Sequence, residues 1–348
     1  MTTATISTRG TWPALPLTEW RDTYATLHMW TQIVGKTRLA LAPMENHWWQ
    51  VALYVTARGL TTSAMPCGQR SVEVEFDCVD HALVLRASDG TATRFSLVPR
   101  SVADFYALYL DALTSLGVEP ELMASPVEVE TAIPVPQDRT HASYDADAAH
   151  RCWQILAGTD RVLKRFRGRF LGKQSPVHFF WGSFDMASTR FSGRTAPRHP
   201  GGVPNCPGYV MVEAYSHECA SAGFWPGGGA LDEPAFYAYA YPQPSGYDAQ
   251  AVRPAAARYL AKAGEFILPY EAVRGAADPD AMLLDFFQST YDAAANADLA
   301  KNRALTVQAA LVAAGSEPDR IDTKPPIFVE IGAGGADAEA RRVEISAR

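Results

Sequence analysis

The feature that most constrains the fold of this chain is an internal repeat, in which two halves carry similar blocks in the same order. The segment VEVEFDCVDHALVLRASDG (72–90) aligns without a gap with VMVEAYSHECASAGFWPGG (210–228). Downstream, VADFYALYLDA (102–112) aligns with LLDFFQSTYDA (283–293). A unit of more than about a hundred residues is too long for a solenoid repeat. The repeat therefore predicts two similar lobes, and chance likeness between amphipathic segments is the alternative.

Composition is that of a soluble globular protein and excludes some classes of partner. The chain has 348 residues, of which 47% are hydrophobic and 20% charged, and its net charge is −7. This charge argues against a protein that binds nucleic acid by neutralising phosphates. No stretch approaches the ~18 apolar residues that a membrane span needs, and no export signal is recognisable. Five scattered cysteines without a CxxC pair indicate a reducing compartment. We expect a cytoplasmic protein with no membrane partner.

Local patterns predict an α+β fold with two related lobes of antiparallel sheet flanked by helices. Apolar residues recur every three or four positions over 18–34, and alternate every second position within 48–98. Ser101 and Asp145 are each placed to cap a following helix, and Ser88-Asp89-Gly90 is typical of a hairpin turn. The predicted division is a first lobe (1–118), a Pro-rich connector (119–144), a second lobe with long aromatic loops (145–295) and a helix-strand tail (296–348).

Three long segments rich in Gly and Pro distinguish the second half from the first. They are 192–207, 224–234 and 241–254, and aromatic residues are dense in and beside them. Disordered segments are poor in aromatic residues, and long ordered loops are often functional. We expect these loops to fold over the sheet and wall a substrate pocket, with packing under loops as the alternative. The residues predicted to line the pocket are Trp181, Trp225, Tyr239 and Tyr241.

Glu213 and His217 form the strongest candidate for chemistry. At a spacing of four they share one side of a helix or of a strand, so the inference holds for either structure. A carboxylate and an imidazole on one face can ligate a divalent metal or act as a general base with its orienting partner. His178 is the natural third metal ligand, and Glu218 is a competing catalytic carboxylate. One divalent metal ion is the cofactor that His178, Glu213 and His217 would hold.

The alternative is that these histidines are buried and hydrogen-bonded for structural reasons. His47 heads a segment in the first half as His178 does in the second, so both can be structural. In a single strand over 178–185, His178 and Asp185 would face opposite sides, and they could share a site only across a bulge. No HExxH or cysteine-pair motif is present, which leaves the metal signal weak.

Several long sequence segments resemble a bacterial family known only as a domain of unknown function. They include SPVHFFWGSFDMASTRFSGR and EAYSHECASAGFWPGG, and the resemblance covers residues 1–295. It implies membership and no activity.

Residues 296–348 are similar to the second half of the OmpA-like peptidoglycan-binding domain. By that likeness Arg303 would pair with the ligand. The first half of that domain and an export signal are both missing, so peptidoglycan is an unlikely partner and a docked terminal helix with two strands is the simpler expectation.

The sequence thus favours an enzyme that acts on a small, partly apolar or aromatic substrate through a metal or acid–base centre. A non-catalytic small-molecule binder with an aromatic pocket is the rival hypothesis, and a scaffold without pocket chemistry is a third. Substrate, reaction and oligomeric state are beyond the sequence.

Overall fold

A computed structural model describes residues 12–228, 231–314 and 317, together with the backbone of two short strands at 321–323 and 345–347. For 298–304, inside a helix, only the backbone is described. The fold is α+β, and two antiparallel sheets of six strands each form its two lobes.

The first lobe begins with the long helix α1 (Leu17–Leu41), continues through a sheet and ends with α2 (Val102–Ser115). Its strands are β1 (Tyr54–Val55), β2 (Gly59–Thr61), β3 (Met65–Cys67), β4 (Arg70–Asp77), β5 (Ala82–Ala87) and β6 (Ala92–Ser96). They pair in the order β1-β2-β4-β5-β6, with β3 beside β4. A 3-10 helix over Asn46–Val51 links α1 to the sheet. Ser101 caps α2 as predicted, because its side chain accepts a hydrogen bond from the Asp104 amide.

The second lobe also begins with a helix, α3 (Ala146–Arg167), which Asp145 caps as predicted. Its strands are β7 (His178–Phe180), β8 (Asp185–Thr195), β9 (His217–Trp225), β10 (Ala235–Tyr241), β11 (Arg258–Leu260) and β12 (Glu265–Pro269), paired in the order β11-β12-β10-β9-β8-β7. Short helices α4 (Gly208–Ala214) and α5 (Tyr270–Arg274) and the long α6 (Pro279–Ala313) complete the lobe. Short 3-10 helices occur at Val135–Gln137 and Tyr247–Ala249.

One hydrophobic core runs through both lobes. In the first lobe, Trp30 of α1 stacks on Phe105 of α2 with 4.6 Å between ring centroids. In the second, Phe287 of α6 packs on Phe236 of β10. Buried residues of both lobes belong to a single cluster, and backbone hydrogen bonds between Leu53 and Phe179 join the two sheets. The two lobes therefore share an interior.

The gapless alignment of 72–90 with 210–228 does not pair equivalent secondary structure in the two halves. Residues 72–77 lie in β4, whereas 210–214 belong to the helix α4 and β9 begins only at His217. Segments 102–112 and 283–293 are both helical, as the alignment requires. What the halves share is therefore the order helix, antiparallel sheet, helix, rather than an equivalence of every residue.

Two of the predicted domain boundaries lie between elements of secondary structure, and the third lies inside a helix. The boundary after residue 118 follows the end of α2, and the one after 144 precedes α3. The boundary after 295 falls inside α6, which continues to Ala313. Beyond α6, β13 (Ile321–Thr323) pairs with β14 (Ile345–Ala347). The side chain of Arg303 lies outside the described residues. Among those residues, no helix combines the length and apolar character needed to cross a bilayer.

Candidate functional site

The second sheet has one side covered by α3 and α6 and an opposite side rich in tyrosine. Residues paired across strands point to the same side, as do alternate residues along a strand. The register pairs Phe180 with Asp185, Gly223 with Tyr237, and Tyr237 with Ile267. We call this side the tyrosine face, and it carries His178, Phe180, Asp185, Ser221, Trp225, Tyr237, Tyr239, Tyr241 and Glu265.

The long loop before α4 packs against the tyrosine face. The His199 ring stacks on Tyr215 at 4.8 Å, and the Tyr215 hydroxyl lies 2.7 Å from that of Tyr239. Tyr241 donates a hydrogen bond to the Pro197 carbonyl at 3.0 Å. The loop therefore covers this part of the sheet, and tyrosine hydroxyl groups make several of the contacts there.

Asp185 is a carboxyl group of the tyrosine face whose partners are hydroxyl groups. It accepts hydrogen bonds from the hydroxyls of Ser183 and Tyr237. Burial raises its pKa, and these two hydrogen bonds oppose the rise. Gly223 makes room for the arrangement, because a Cβ at that position would stand 2.6 Å from the Tyr237 hydroxyl oxygen. The carboxyl group is held by hydroxyl donors, and among the described residues no cation pairs with it.

Two further carboxyl groups respond to the charge of Asp185. Burial raises the pKa of Glu265 to about 7, and the charge of Asp185 adds to the rise. Glu128 comes from the connector, and although the residue is exposed overall, its carboxylate lies against Gly182, where a Cβ would come within 2.1 Å of Oε1. Loss of hydration, with Asp185 again contributing, raises the pKa of Glu128 to about 7. Both groups therefore change protonation near neutral pH.

Polar side chains of α1 hold the connector segment that carries Glu128. Gln32 donates to the Val127 carbonyl at 2.8 Å and accepts from the Val127 amide at 2.9 Å. Lys36 donates to the carbonyls of Met123 and Ser125. Glu128 itself has a φ of 59°, a conformation rarely adopted by residues other than glycine. The first lobe thus fixes a carboxyl group above the sheet of the second.

A second polar cluster lies where α4 leads into the start of β9, and it contains two of the three predicted metal ligands. The ring of His47 lies 5.7 Å from that of His217, and its amide donates to Glu213 Oε1 at 3.1 Å. His47 Nε2 is 2.8 Å from Lys173 Nζ, while Nδ1 faces the Ala214 carbonyl at 3.1 Å. Glu213 and His217 thus meet through His47, which the sequence analysis treated as structural.

The helix-or-strand ambiguity around Glu213 and His217 resolves into one of each. Glu213 lies in α4, which ends at Ala214, and His217 begins β9. Among the described residues, no three His, Cys, Asp or Glu side chains are close enough to hold a metal ion. The set of His178, Glu213 and His217 is therefore not assembled as a metal site in this structure.

His178 is buried beneath aromatic rings. It is 1% exposed, and its ring lies 5.6 Å from Trp49, 5.6 Å from Tyr54 and 5.3 Å from Phe180. Burial lowers the pKa of His178 to about 3, so the imidazole is neutral at physiological pH. The prediction that 178–185 is one strand is wrong, because Phe184 turns with a φ of 56° between β7 and β8. This hairpin places Asp185 on the same side as His178.

The remaining predicted residues divide between the two sides of the sheet. Trp225, Tyr239 and Tyr241 belong to the tyrosine face, and Trp225 hydrogen bonds to Tyr24 of α1. Trp181 instead packs against Gly35 of α1, where a Cβ would meet the indole at 2.2 Å. Glu218 points away from the tyrosine face and pairs with Arg194 at 2.6 Å.

Sequence reasoning missed Tyr237, Glu128 and Glu265. The alternation in FYAYAY places Tyr237 with Tyr239 and Tyr241, so the period-two pattern contained that signal. No comparable pattern marks Glu128, which lies in an irregular segment.

These features define an α+β protein in which hydroxyl and carboxyl groups share one side of the second sheet beneath a covering loop. Within the described ranges, Asp185, Glu128 and Glu265 form no ion pair. The chain belongs to a family of unknown function, DUF5996, which matches residues 12–307. This confirms the resemblance of the sequence to a family of that description and extends it further along α6, from residue 295 to residue 307. Neither the comparison with curated proteins nor that with solved structures finds a match.

Proposed function

We propose that the protein is an enzyme that uses acid–base chemistry on a small, partly aromatic or apolar substrate bound at the tyrosine face. One observation carries the proposal: Asp185 accepts a hydrogen bond from Tyr237, its charge acts on both Glu128 and Glu265, and among the described residues none of the three carboxyl groups forms an ion pair. Structural carboxylates are normally paired with cations or hydrated. Carboxyl groups kept apart from cations in a recess are typical of general acids and bases.

The three groups suit different roles. Asp185 is fixed by Ser183 and Tyr237 and so orients a reacting group or the hydroxyl of Tyr237. Glu128 and Glu265 have pKa values of about 7, which is the range in which a carboxyl group can both accept and donate a proton. Pairs of titratable groups with separated environments divide acid and base roles in known enzymes.

A non-catalytic small-molecule binder is the second candidate. The stacked rings of Tyr237 and Tyr239, 6.1 Å apart, and the adjoining Trp225 favour an aromatic or cationic ligand. In that case the carboxyl groups would only orient the ligand. A binder predicts saturable binding without turnover.

The test is to incubate the protein with a bacterial metabolite extract and follow compounds that disappear or form by mass spectrometry. We compare the wild type with Asp185→Asn and Glu128→Gln, and use Glu218→Gln as the matched control because Glu218 lies on the other side of the sheet. We expect a product that falls at least a hundredfold with Asp185→Asn and is unchanged with Glu218→Gln.

Two results would redirect the proposal. Compounds that bind without conversion, and whose binding Asp185→Asn weakens, would support the binder. Near-stoichiometric metal in the wild type, lost in His217→Ala, would move the chemistry to the cluster of His47, Glu213 and His217. Equal turnover by Asp185→Asn and Glu218→Gln contradicts the acid–base role of Asp185.

A further inference from the structure

Two buried polar side chains at the junction of the lobes carry nitrogen atoms that have no hydrogen-bond partner in the described part of the chain. Both ring nitrogens of His178 are buried and unpaired, and so is Nε of Arg38 from α1. His178 is 1% exposed and Arg38 is 7% exposed. Buried polar groups without partners are uncommon in native proteins, and each calls for a water, an ion or a ligand.

Aromatic neighbours do not satisfy His178. Its ring packs edge to face against Trp49 and Tyr54, with interplanar angles of 61° and 70°. An N–H group can interact weakly with an aromatic ring, but the second nitrogen of a neutral imidazole carries a lone pair that needs a donor. At least one ring nitrogen therefore requires a partner from outside the described side chains.

Arg38 likewise lacks an ion-pair partner among the described residues, although the charge of Glu45 acts on it from a distance. Nη1 of Arg38 donates to the Thr62 carbonyl, and its guanidinium lies 5.3 Å from the Tyr54 ring centroid. Among the described residues, no carboxylate forms an ion pair with Arg38. Burial lowers its pKa, although arginine remains charged. A buried cation without a counter-ion is costly, and an anion in contact with it offsets that cost.

We infer that Arg38 and His178 bind the carboxylate of the substrate, between walls formed by Trp49 and Tyr54. This inference rests on the proposed function, since it assigns the substrate class of the same face. Arg38 Nε–H and one His178 N–H provide one donor for each carboxylate oxygen. The second ring nitrogen of His178 accepts a hydrogen bond from a water or from a donor on the ligand.

A carboxylate suits this site better than a phosphate. A phosphate brings up to two charges and three terminal oxygens and usually engages several cations or backbone amides. Here the guanidinium of Arg38 and one imidazole N–H face flat aromatic rings. The other nearby cations already have partners, since Arg167 donates to the Ser175 carbonyl and Lys173, which lies over Trp49, contacts His47 Nε2. The chemistry favours a planar monoanion attached to an apolar or aromatic body.

The position also limits the size of the substrate. Phe180 pairs with Asp185 across β7 and β8, so His178 is the diagonal neighbour of Asp185 on the tyrosine face. Diagonal neighbours are about 7–8 Å apart. A substrate that reaches both groups is therefore a short organic acid, with the reacting atom a few bonds from the carboxylate.

Benzoate and its neutral isostere benzamide are the probes that test this inference on the full-length wild type. We would record ring-nitrogen resonances of histidine-labelled protein during each titration, with His178→Phe used to assign the His178 signals. We expect benzoate to shift the His178 signals saturably and benzamide to leave them unchanged. Arg38→Met should weaken benzoate at least tenfold, whereas Arg58→Met, which alters an arginine paired with Asp77, should not.

No saturable shift with benzoate, or an equal shift with benzamide, would overturn the inference and leave a buried water as the partner of His178. The wild-type comparison decides this even if Arg38→Met fails to fold. Benzoate binding that persists in Asp185→Asn, in a protein without turnover, would keep the carboxylate site and reject the proposed enzyme. Turnover of a substrate with which benzoate does not compete would keep the proposed enzyme and reject the carboxylate site.

Discussion

The sides of the two sheets that point away from their helices differ in the partners that acidic residues have there. On the side of the first sheet that points away from its core, Glu75 pairs with Arg86 at 2.9 Å and Asp77 pairs with Arg58 at 2.6 Å. The hydrogen bonds and charge of Arg58 lower the pKa of Asp77 despite its burial. On the corresponding side of the second sheet, Asp185 has only hydroxyl partners and its pKa is raised. Similar architectures therefore give ion-paired carboxylates on one sheet and, on the other, a carboxyl group whose pKa is raised.

Removal of the glycine that makes room for Tyr237 should have the largest effect on this comparison. A Cβ in Gly223→Ala would lie 2.0 Å from the Met186 carbonyl oxygen and 2.6 Å from the Tyr237 hydroxyl. We expect a loss of unfolding free energy on the order of 3 kcal/mol, because the backbone carbonyl cannot yield as a flexible side chain can. Urea denaturation measures the loss.

Gly208→Ala is the matched control for that experiment. A Cβ at Gly208 meets no atom within 4 Å, and the residue begins the helix α4. Its stability should stay within about 0.5 kcal/mol of the wild type. A Gly223→Ala protein as stable as this control would mean that Tyr237 and its strand have more freedom than the structure shows.

A change at Glu265 should alter the pH dependence of stability. Its pKa in the folded protein, about 7, lies above the ordinary 4.5, so the folded state binds the proton more tightly than the unfolded state. The contribution of Glu265 to the stability of the fold is fully present below pH 4.5 and is lost as the pH rises through 7. Glu265→Gln should remove that loss and be more stable than the wild type above pH 7, by on the order of 2 kcal/mol.

Melting temperatures of both proteins from pH 4.5 to 8 would check this, since the difference between them isolates Glu265 from other groups. Glu75→Gln is the control from the first sheet, where the carboxylate is already paired with Arg86. A constant difference across the pH range would show that Glu265 titrates normally and that the two sheets do not differ in this respect.

The smallest effect is expected when a carboxylate of the first sheet is deprived of its cation. In Arg86→Met, Glu75 keeps its hydrogen bond from Thr56 but loses the ion pair. Half-exposed ion pairs contribute little, so the loss of stability should be below about 1 kcal/mol. Urea denaturation of Arg86→Met beside the wild type measures this loss. A loss well above ~1 kcal/mol would mean that this ion pair contributes more than a half-exposed pair normally does.

The sequence was sufficient for the fold class and for several local features, because these depend on short-range chemistry. Ser101 and Asp145 cap their helices, and Gly90 takes a φ of 92° in the predicted hairpin turn. Period-two alternation likewise places Tyr239 and Tyr241 on one side of β10. Such patterns report burial and backbone geometry over a few residues.

The candidate site depends on contacts that no local pattern records. Phe184 reverses the chain between β7 and β8 with a positive φ, which a residue other than glycine rarely adopts. Gly182-Ser183 is compatible with a turn but does not by itself distinguish a hairpin from a continuous strand. Glu128 is held in place through Gln32, 95 residues away, which bonds to Val127. The partner of Glu213 is the amide of His47, and long-range backbone contacts of this kind have no sequence signature.

The role of α1 has a consequence for how such a protein can change over evolutionary time. Tyr24, Gln32 and Lys36 lie in the first lobe, yet they contact or position residues above the sheet of the second. A substitution on this helix can retune the chemistry of the distant sheet while leaving every residue of that sheet unaltered. Selection for a new substrate therefore has two separate stretches of the gene on which to act. A fragment that starts at the connector would contain the tyrosine face but not α1, the helix that positions the residues above it.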